Sequence, residues 1–283
     1  MARNFVKEIK ELNKTYVHIK DVEQLNNKLN GIINDSFDQL QIVSDFDLTI
    51  TKQHENGKRH MSSFRMFGFC PSITEQYKET TNDLVAKYYP KEYDPTIPLD
   101  EKRILMEEWW RQSEKALHGL KVSPKEIDEV VAKLATSLRD GTKELFQTLL
   151  NHNVPILVFS AGLGDTVVSV LKHYDVYLPN VKVISNFLKY DDNGAIAGFK
   201  GSVIHVLNKN EFAIKNTNYY DLVKNRPNVI LLGDSLGDAK MADGMAHANQ
   251  VEGNLPAYMD TFDIVLEDDQ TMDVVLAIIN MIK

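Results

Sequence analysis

"LQIVSDFDLTITK" (residues 40–52) begins as a strand to be buried on both faces and then changes character. After Ile42 and Val43 the chain leaves its sheet through Asp45 and Asp47. Two carboxylates so close repel each other, and a partly buried pair is costly unless something cationic lies between them.

The rest of the chain supplies a sheet for this strand. After Gly141, strands and helices alternate: "VPILVFSAG" (154–162), helix "DTVVSVLKHY" (165–174), strand "VKVISNF" (181–187), strand "VILLGDS" (229–235), helix "GDAKMADGMA" (237–246), strand "FDIVL" (262–266) and helix "TMDVVLAIINMI" (271–282). Continuous apolar strands separated by amphipathic helices imply a parallel sheet covered on both faces. "YDDNGAIAGF" (190–199) carries the Asn-Gly turn of a hairpin flap. Between residues 52 and 138 the pattern is almost wholly helical, with a loop expected at the three prolines of "PKEYDPTIP" (90–98). Ser123, Pro124 and Glu126 have the N-cap, first-turn and third-position chemistry of a helix start. The expected fold is therefore α/β, a doubly wound parallel sheet over 30–51 and 139–283, interrupted by a helical cap at 52–138. A helical segment is expected at 1–29, its pattern running on to about 35.

Composition narrows the function classes. The 283 residues are 43% hydrophobic and 25% charged, as in an ordinary globular protein, and the net charge of −8 disfavours general affinity for a nucleic-acid polymer or an anionic membrane. The single cysteine, Cys70, allows no intrachain disulfide and suits a packed hydrophobe in "MFGFC". No apolar run approaches the ~20 residues of a membrane span, and the charged N-terminus lacks a signal peptide's apolar core. A reducing, cytoplasmic setting and a monomer are expected.

In an open parallel sheet, ligands bind beyond the carboxyl ends of the strands. Three strands end in polar groups there: Asp45-Phe46-Asp47-Leu48-Thr49, Ser160-Ala161-Gly162, and Gly233-Asp234-Ser235-Leu236-Gly237-Asp238, with Lys209 before the last. Singly, each has a bland reading. Asp-x-Asp can be a turn or cap, Ser-Ala-Gly a tight strand-to-helix turn, and Lys209 a solvated surface lysine. Taken in order along one sheet edge, they fit one reaction. An Asp attacks phosphorus and gives an aspartyl-phosphate that water hydrolyses. A hard cation with oxygen ligands, for which Mg²⁺ is suited, holds the acids and the phosphate together. Lys209 balances charge, Ser160 and backbone N–H groups hold phosphoryl oxygens, and the second Asp protonates the leaving oxygen.

With these motifs on the page, the chain resembles the haloacid dehalogenase-like phosphohydrolases: DFDLT (45–49), Ser160, Lys209 and GDSLGD (233–238) match their four motifs. Asp47 points to the phosphatase branch. "GKRH", "YYPKEYDP", "EEWWRQS", "VFSAGLGD" and "GFKGSVIHVLNK" are further similar to the cytosolic 5′-nucleotidases of type III, from about residue 40 to 283. The resemblance implies Asp45 as nucleophile, Asp47 as acid and base, and Mg²⁺ held by the Asp45 side chain, the Asp47 carbonyl and Asp234, with Asp238 supporting that set. It implies phosphate contacts from Ser160, Ala161, Gly162 and Lys209, and nucleoside contacts from Glu92 and Ser113.

The family has a pyrimidine-preferring branch that stacks the base between His and Tyr. A second branch takes 7-methylguanosine monophosphate as well as cytidine monophosphate and stacks the base between Phe and Trp; the matching positions here are Phe64 and Trp110. N7-methylation makes the purine cationic, which favours electron-rich faces on either side. Trp109 and Trp110 point about 100° apart on a helix and cannot share a face, so one packs inward and the other faces the cleft; the family register implies Trp110 as the cleft residue. Phe67 and Phe69 compete with Phe64 for the partner role. The expectation is a Mg²⁺-dependent nucleoside 5′-monophosphate phosphatase preferring 7-methylguanylate. The alternatives are a pyrimidine-specific nucleotidase, a small-metabolite phosphatase and a non-catalytic nucleotide binder.

Overall fold

The computed structural model describes residues 3–94, 96–134, 136–209, 217–242, 249–250 and 255–282. The chain opens with a helical turn, α1 (Phe5–Glu8), a three-residue strand, β1 (Val17–Ile19), and a full helix, α2 (Val22–Asn34). Asp21 caps α2 by accepting the Gln24 N–H at 2.9 Å, and Leu25, Leu29, Ile32 and Ile33 form its buried stripe at helical spacing. β2 (Leu40–Ser44) follows, buried along its whole length. A small hairpin, β3 (His54–Glu55) with β4 (Lys58–Arg59), leads into α3 (Ser63–Phe67), α4 (Glu75–Tyr93), α5 (Leu99–Leu117) and α6 (Pro124–Leu134).

Alternation then sets in. α7 (Thr142–Asn151), β5 (Ile156–Leu163), α8 (Gly164–His173) and β6 (Val181–Asn186) precede a second hairpin, β7 (Leu188–Tyr190) with β8 (Ile196–Phe199). α9 (Asn218–Val223), β9 (Asn228–Leu232), β10 (Asn249–Gln250), α10 (Leu255–Thr261), β11 (Ile264–Leu266) and α11 (Asp273–Ile279) complete the described chain.

The main sheet has five strands in the order β10-β9-β2-β5-β6, every pair parallel. β2 is central, so it must be apolar on both faces, and Leu40, Ile42 and Val43 are at most 1% exposed. Each such burial contributes roughly 1.5–3 kcal/mol. The chain passes from β2 to β5 on one side and later returns to β9 on the other. That reversal opens a crevice at the carboxyl end of β2.

Three local expectations change. The helical stretch expected at 1–35 is broken by β1, which pairs antiparallel with β11 (Val17↔Leu266). The "FDIVL" strand therefore leaves the parallel ladder, whose outer place is taken by β10. Residues 237–246, expected as a helix, form a 3₁₀ helix over Leu236–Ala242, and the remainder lies outside the described residues. Pro90, expected to begin a loop, sits inside the last turn of α4. A proline there removes one helical hydrogen bond near the end of the helix, where the cost is small enough for packing of the fully buried Tyr88 to override it.

The helical insertion is rooted in the core. A bridge between Thr51 and Leu138 joins its two ends. α3 and α6 pack on α8, and Met66, Phe67, Ile127 and Val131 belong to the same apolar cluster as the sheet. The pair α4–α5 packs around a separate small cluster of Leu84, Tyr88 and Met106, against which Leu207 also lies. Ser123 caps α6 by accepting the Glu126 N–H at 3.2 Å, while the Glu126 carboxylate accepts the Ser72 N–H and hydroxyl at 2.6 and 2.8 Å. Among the described residues no helix is long and apolar enough to cross a membrane.

Candidate active site

Register brings the polar strand ends together. Ser44 is paired with Leu232 on one side and Val158 on the other, so the residues after them emerge at one edge. Asp45 continues the ladder for one more bond, its N–H donating to the Leu232 carbonyl at 2.9 Å. Its side chain is buried, and Lys209 reaches it from the loop after β8. The Lys209 ammonium lies 2.6 Å from Asp45 Oδ1 and 2.6 Å from Asp238 Oδ1. Far from being a solvated surface residue, this lysine is 3% exposed. Asp238 is fixed in turn by the Ser235 N–H and hydroxyl, which donate to its other oxygen at 3.0 and 2.7 Å. The Thr49 hydroxyl donates to Asp234 at 3.5 Å.

Oxygens of Asp45, Asp234 and Asp238 lie within 4.8 Å of one another. Burial pushes the Asp45 carboxyl up to about 7, Asp238 and Asp47 adding to the effect and Lys209 opposing it. Burial, Asp45 and Asp238 raise Asp234 well above the carboxylate range. For Lys209 burial disfavours the charge, but Asp238 and Asp45 outweigh it and hold the ammonium above the ordinary lysine range. Three carboxylates around one ammonium leave negative charge uncompensated, and every donor is a hard oxygen. This set fits a divalent oxygen-seeking cation.

Next to the acids lies the end of β5, whose register shifts between Phe159 and Leu163 to form a loop-like bulge suited to phosphoryl oxygens. The Ser160 hydroxyl is buried and accepts the Gly162 N–H at 2.9 Å. Ala161 and Gly162 are half-buried. At Gly162 a side chain would not fit: a Cβ would strike the Ser63 hydroxyl and come within 2.7 Å of Asp47 Oδ2 and 3.0 Å of Ser160 Oγ. Two residues that sequence reasoning missed hold this loop. Ser185 donates its hydroxyl to the Gly162 carbonyl at 2.9 Å. Asn186 donates to the carbonyls of Ala161 and Ile204 at 2.9 and 2.8 Å, and accepts the Ile204 N–H at 2.8 Å. It thus ties the loop of Ser160 to the one carrying Lys209. Their one cue was a polar pair ending the apolar strand "VKVISN".

Asp47 faces the insertion. Both its oxygens are bonded to Ser63, Oδ1 accepting the N–H and Oδ2 the hydroxyl, each at 2.7 Å. Burial raises the Asp47 carboxyl, and the Ser63 bonds work against that rise. The turn after Asp47 has Leu48 at φ 66°, a left-handed conformation unusual for a leucine. Arg139, also missed, secures it: the buried guanidinium donates to the carbonyls of Thr49 at 2.7 Å, Leu48 at 2.9 Å and Asp269.

Aromatic rings gather around Phe64, the residue after Ser63. Phe64 and Trp110 meet with centroids 5.2 Å apart and planes at 62°. Phe199, from β8, touches both at 6.4 and 6.1 Å; nothing in the sequence distinguished it from a packed hairpin residue. Trp109 stacks on Tyr88 at 5.8 Å in the α4–α5 seam, so the two tryptophans diverge. Phe67 is fully buried and Phe69 is 53% exposed, which leaves Phe64 as the ring facing Trp110. Ser113 lies on α5 one turn beyond Trp110, beside Glu114, whose carboxylate accepts the Phe199 N–H at 2.8 Å. Glu92 occupies the last turn of α4, half-buried. Burial pushes its carboxyl up to about 7, Asp238 adds to this, and Lys102 and Lys209 oppose it.

A parallel sheet, a helical insertion after its first parallel strand and an acid cluster at the strand ends define the class of fold, α/β of the haloacid dehalogenase-like kind. A phosphoserine phosphatase with bound substrate has the same fold at 18% identity, with a TM-score of 0.55 over 87% of this chain and 98% of its own; that likeness concerns the fold alone. Residues 48–283 match the model of the family described as pyrimidine 5′-nucleotidase (UMPH-1), and the chain belongs to that family. It is 43% identical over 290 residues to a Drosophila melanogaster 7-methylguanosine phosphate-specific 5′-nucleotidase, covering 98% of this chain and 91% of the relative. The human enzyme of that name is 36% identical, with 95% and 93% covered. The crystal structure of cytosolic 5′-nucleotidase IIIB bound to cytidine superposes with a TM-score of 0.93 at 43% identity, covering 98% of this chain and 96% of that one. Like its relatives, the chain is a phosphoric monoester hydrolase of the 5′-nucleotidase kind.

Proposed function

We propose that the protein removes the 5′-phosphate of 7-methylguanosine monophosphate, and also of cytidine monophosphate, with Mg²⁺ as the cation. The observation that carries the base preference is the Phe64–Trp110 pair, tied to the acid site through Ser63, the neighbour of Phe64, which bonds both oxygens of Asp47. At 5.2 Å and 62° the rings lie against each other. A base between them needs roughly 7 Å, twice the ~3.5 Å carbon contact distance, so binding turns one ring. A cationic base repays that movement through cation–π attraction, and Glu92 complements its charge and accepts its N–H donors.

In this reading Asp45 is the nucleophile. One of its oxygens bonds to phosphorus as the P–O5′ bond breaks, and Asp47 gives its proton to the departing ribose oxygen. Asp47, now a carboxylate, takes a proton from the water that attacks the phosphorus of the aspartyl-phosphate, and phosphate leaves with Asp45 restored. Ser160 and the N–H groups of Ala161 and Gly162 bind the equatorial oxygens while Lys209 balances their charge. Asp45, the Asp47 carbonyl and Asp234, with Asp238 supporting them, would hold Mg²⁺, which would supply charge neutralisation between the carboxylates and the phosphate. The cap is residues 52–138 and the chain acts as a cytosolic monomer; the relatives' description as cytosolic supports the compartment.

A second reading, preference for pyrimidine monophosphates, has the family description and the cytidine complex in its favour. Comparing kcat/KM on 7-methylguanosine, cytidine, uridine and guanosine monophosphates separates the two. The first nucleotide is expected to lead and guanylate to be poor. Equal values for 7-methylguanylate and guanylate would remove the cationic-stacking argument, and uridylate in the lead would favour the second reading.

A further inference from the structure

We propose that Ser63 is a positioning residue for Asp47, so that the short helix meeting the base also sets the group that transfers the proton. The inference rests on the reading of Asp47 as acid and base given above.

Ser63 opens α3, is fully buried, and follows Ser62, the residue that caps the helix. Its N–H and hydroxyl hold one oxygen each of the Asp47 carboxyl. A serine hydroxyl has a single proton to give. Here its oxygen accepts the Leu163 N–H at 3.1 Å, which fills a lone pair on one side and turns the proton toward Asp47. Two donors from one residue thereby fix the plane of the carboxyl group. The plane they fix is a useful one. Around the position a Cβ would take at Gly162 the Ser63 hydroxyl is the nearest atom, with Asp47 Oδ2 at 2.7 Å and Ser160 Oγ at 3.0 Å, so Ser63 holds Asp47 against the segment that carries Ser160. Phe64 is the next residue on α3, so a ring that turns to admit a base pulls on the same turn that holds Asp47.

A merely structural serine would satisfy a buried carboxylate and nothing more. The two roles differ in their dependence on the leaving group. A ribose 5′-oxygen needs a proton as it departs, whereas p-nitrophenolate does not. kcat/KM covers the steps up to departure of the alcohol and excludes hydrolysis of the aspartyl-phosphate, so it reads proton donation directly.

The test is Ser63→Ala in the full chain with saturating Mg²⁺, on a nucleoside 5′-monophosphate and on p-nitrophenyl phosphate. The expected loss in kcat/KM is about 10- to 100-fold on the nucleotide, part of what a well-placed general acid supplies, and under about 3-fold on the aryl ester. The ratio of the two is unaffected by the fraction of enzyme that folds. Equal losses on both substrates, or no loss on either, overturn the proposal. Asp47→Asn run alongside tests the underlying reading: it must lose the nucleotide selectively, and if it does while Ser63→Ala does not, only the positioning role falls.

Discussion

Lys209→Met keeps the length of a buried side chain and deletes the one cation between Asp45 and Asp238. At 2.6 Å and an effective dielectric of about 20, each of the two contacts is worth about 6 kcal/mol of gross attraction. Burying the ammonium costs several kcal/mol in return, so removing the cation alone is expected to destabilise the fold by about 3–5 kcal/mol. For a chain of this size that corresponds to roughly 10 °C in Tm. The measurement is thermal or urea unfolding in buffer with a chelator, so that no divalent ion replaces the lost charge. Its pH dependence has a definite sign. Asp45 titrates at about 7 when folded against an ordinary value of 3.8, so the folded chain binds that proton more tightly than the unfolded one. Its contribution to stability then falls as pH rises from about 3.8 through 7. Without Lys209, which holds the Asp45 carboxyl down, the fall extends to higher pH. The gap between wild type and variant is therefore widest above pH 7 and narrows toward pH 5. A variant as stable as wild type, or a gap equal at pH 5 and pH 8, would refute the claim that this lysine holds the acids together.

Two other substitutions probe the aromatic pair and Gly162. Trp110→Ala should weaken 7-methylguanylate by about 1–3 kcal/mol, raising KM far more than it lowers kcat, because stacking acts on ground and transition states alike. Steady-state kinetics and ligand titration check this. Gly162→Ala places a methyl group against Ser63, Asp47 and Ser160, and is expected to lower kcat by at least about 100-fold, with a loss of about 1–3 kcal/mol in stability. A fully active alanine variant would mean that this space plays no part in the reaction.

What could be read in the sequence followed from forces that act locally. The apolar runs at Ile42-Val43, Ile156–Phe159 and Val229–Leu232 demanded burial on both faces, and the polar residues ending them marked the sheet's carboxyl edge. Ser123 capped its helix as its chemistry required. Contacts made across the chain were not legible. β1 is three residues of mixed polarity whose partner β11 lies at the other end of the sequence. Pro90 signals a break that buried Tyr88 overrides. Lys209 has the composition of a surface residue when taken alone; its place in the ordered set of motifs marked it for charge balance, but its bonds to Asp45 and Asp238 could not be read from the sequence. Ser63, Arg139 and Asn186 act through backbone carbonyls and carboxylates remote in sequence, and no spacing rule announces such bonds.

The central claim is that Asp45 forms a bond to the substrate's phosphorus. Acid-quenching a single turnover of 5′-³²P-labelled nucleotide within milliseconds, then digesting the protein, tests it most directly. Label is expected on the peptide containing Asp45, rising and decaying with turnover, and absent from Asp45→Asn. Turnover without labelled protein at any time, or full activity in Asp45→Asn, would contradict it.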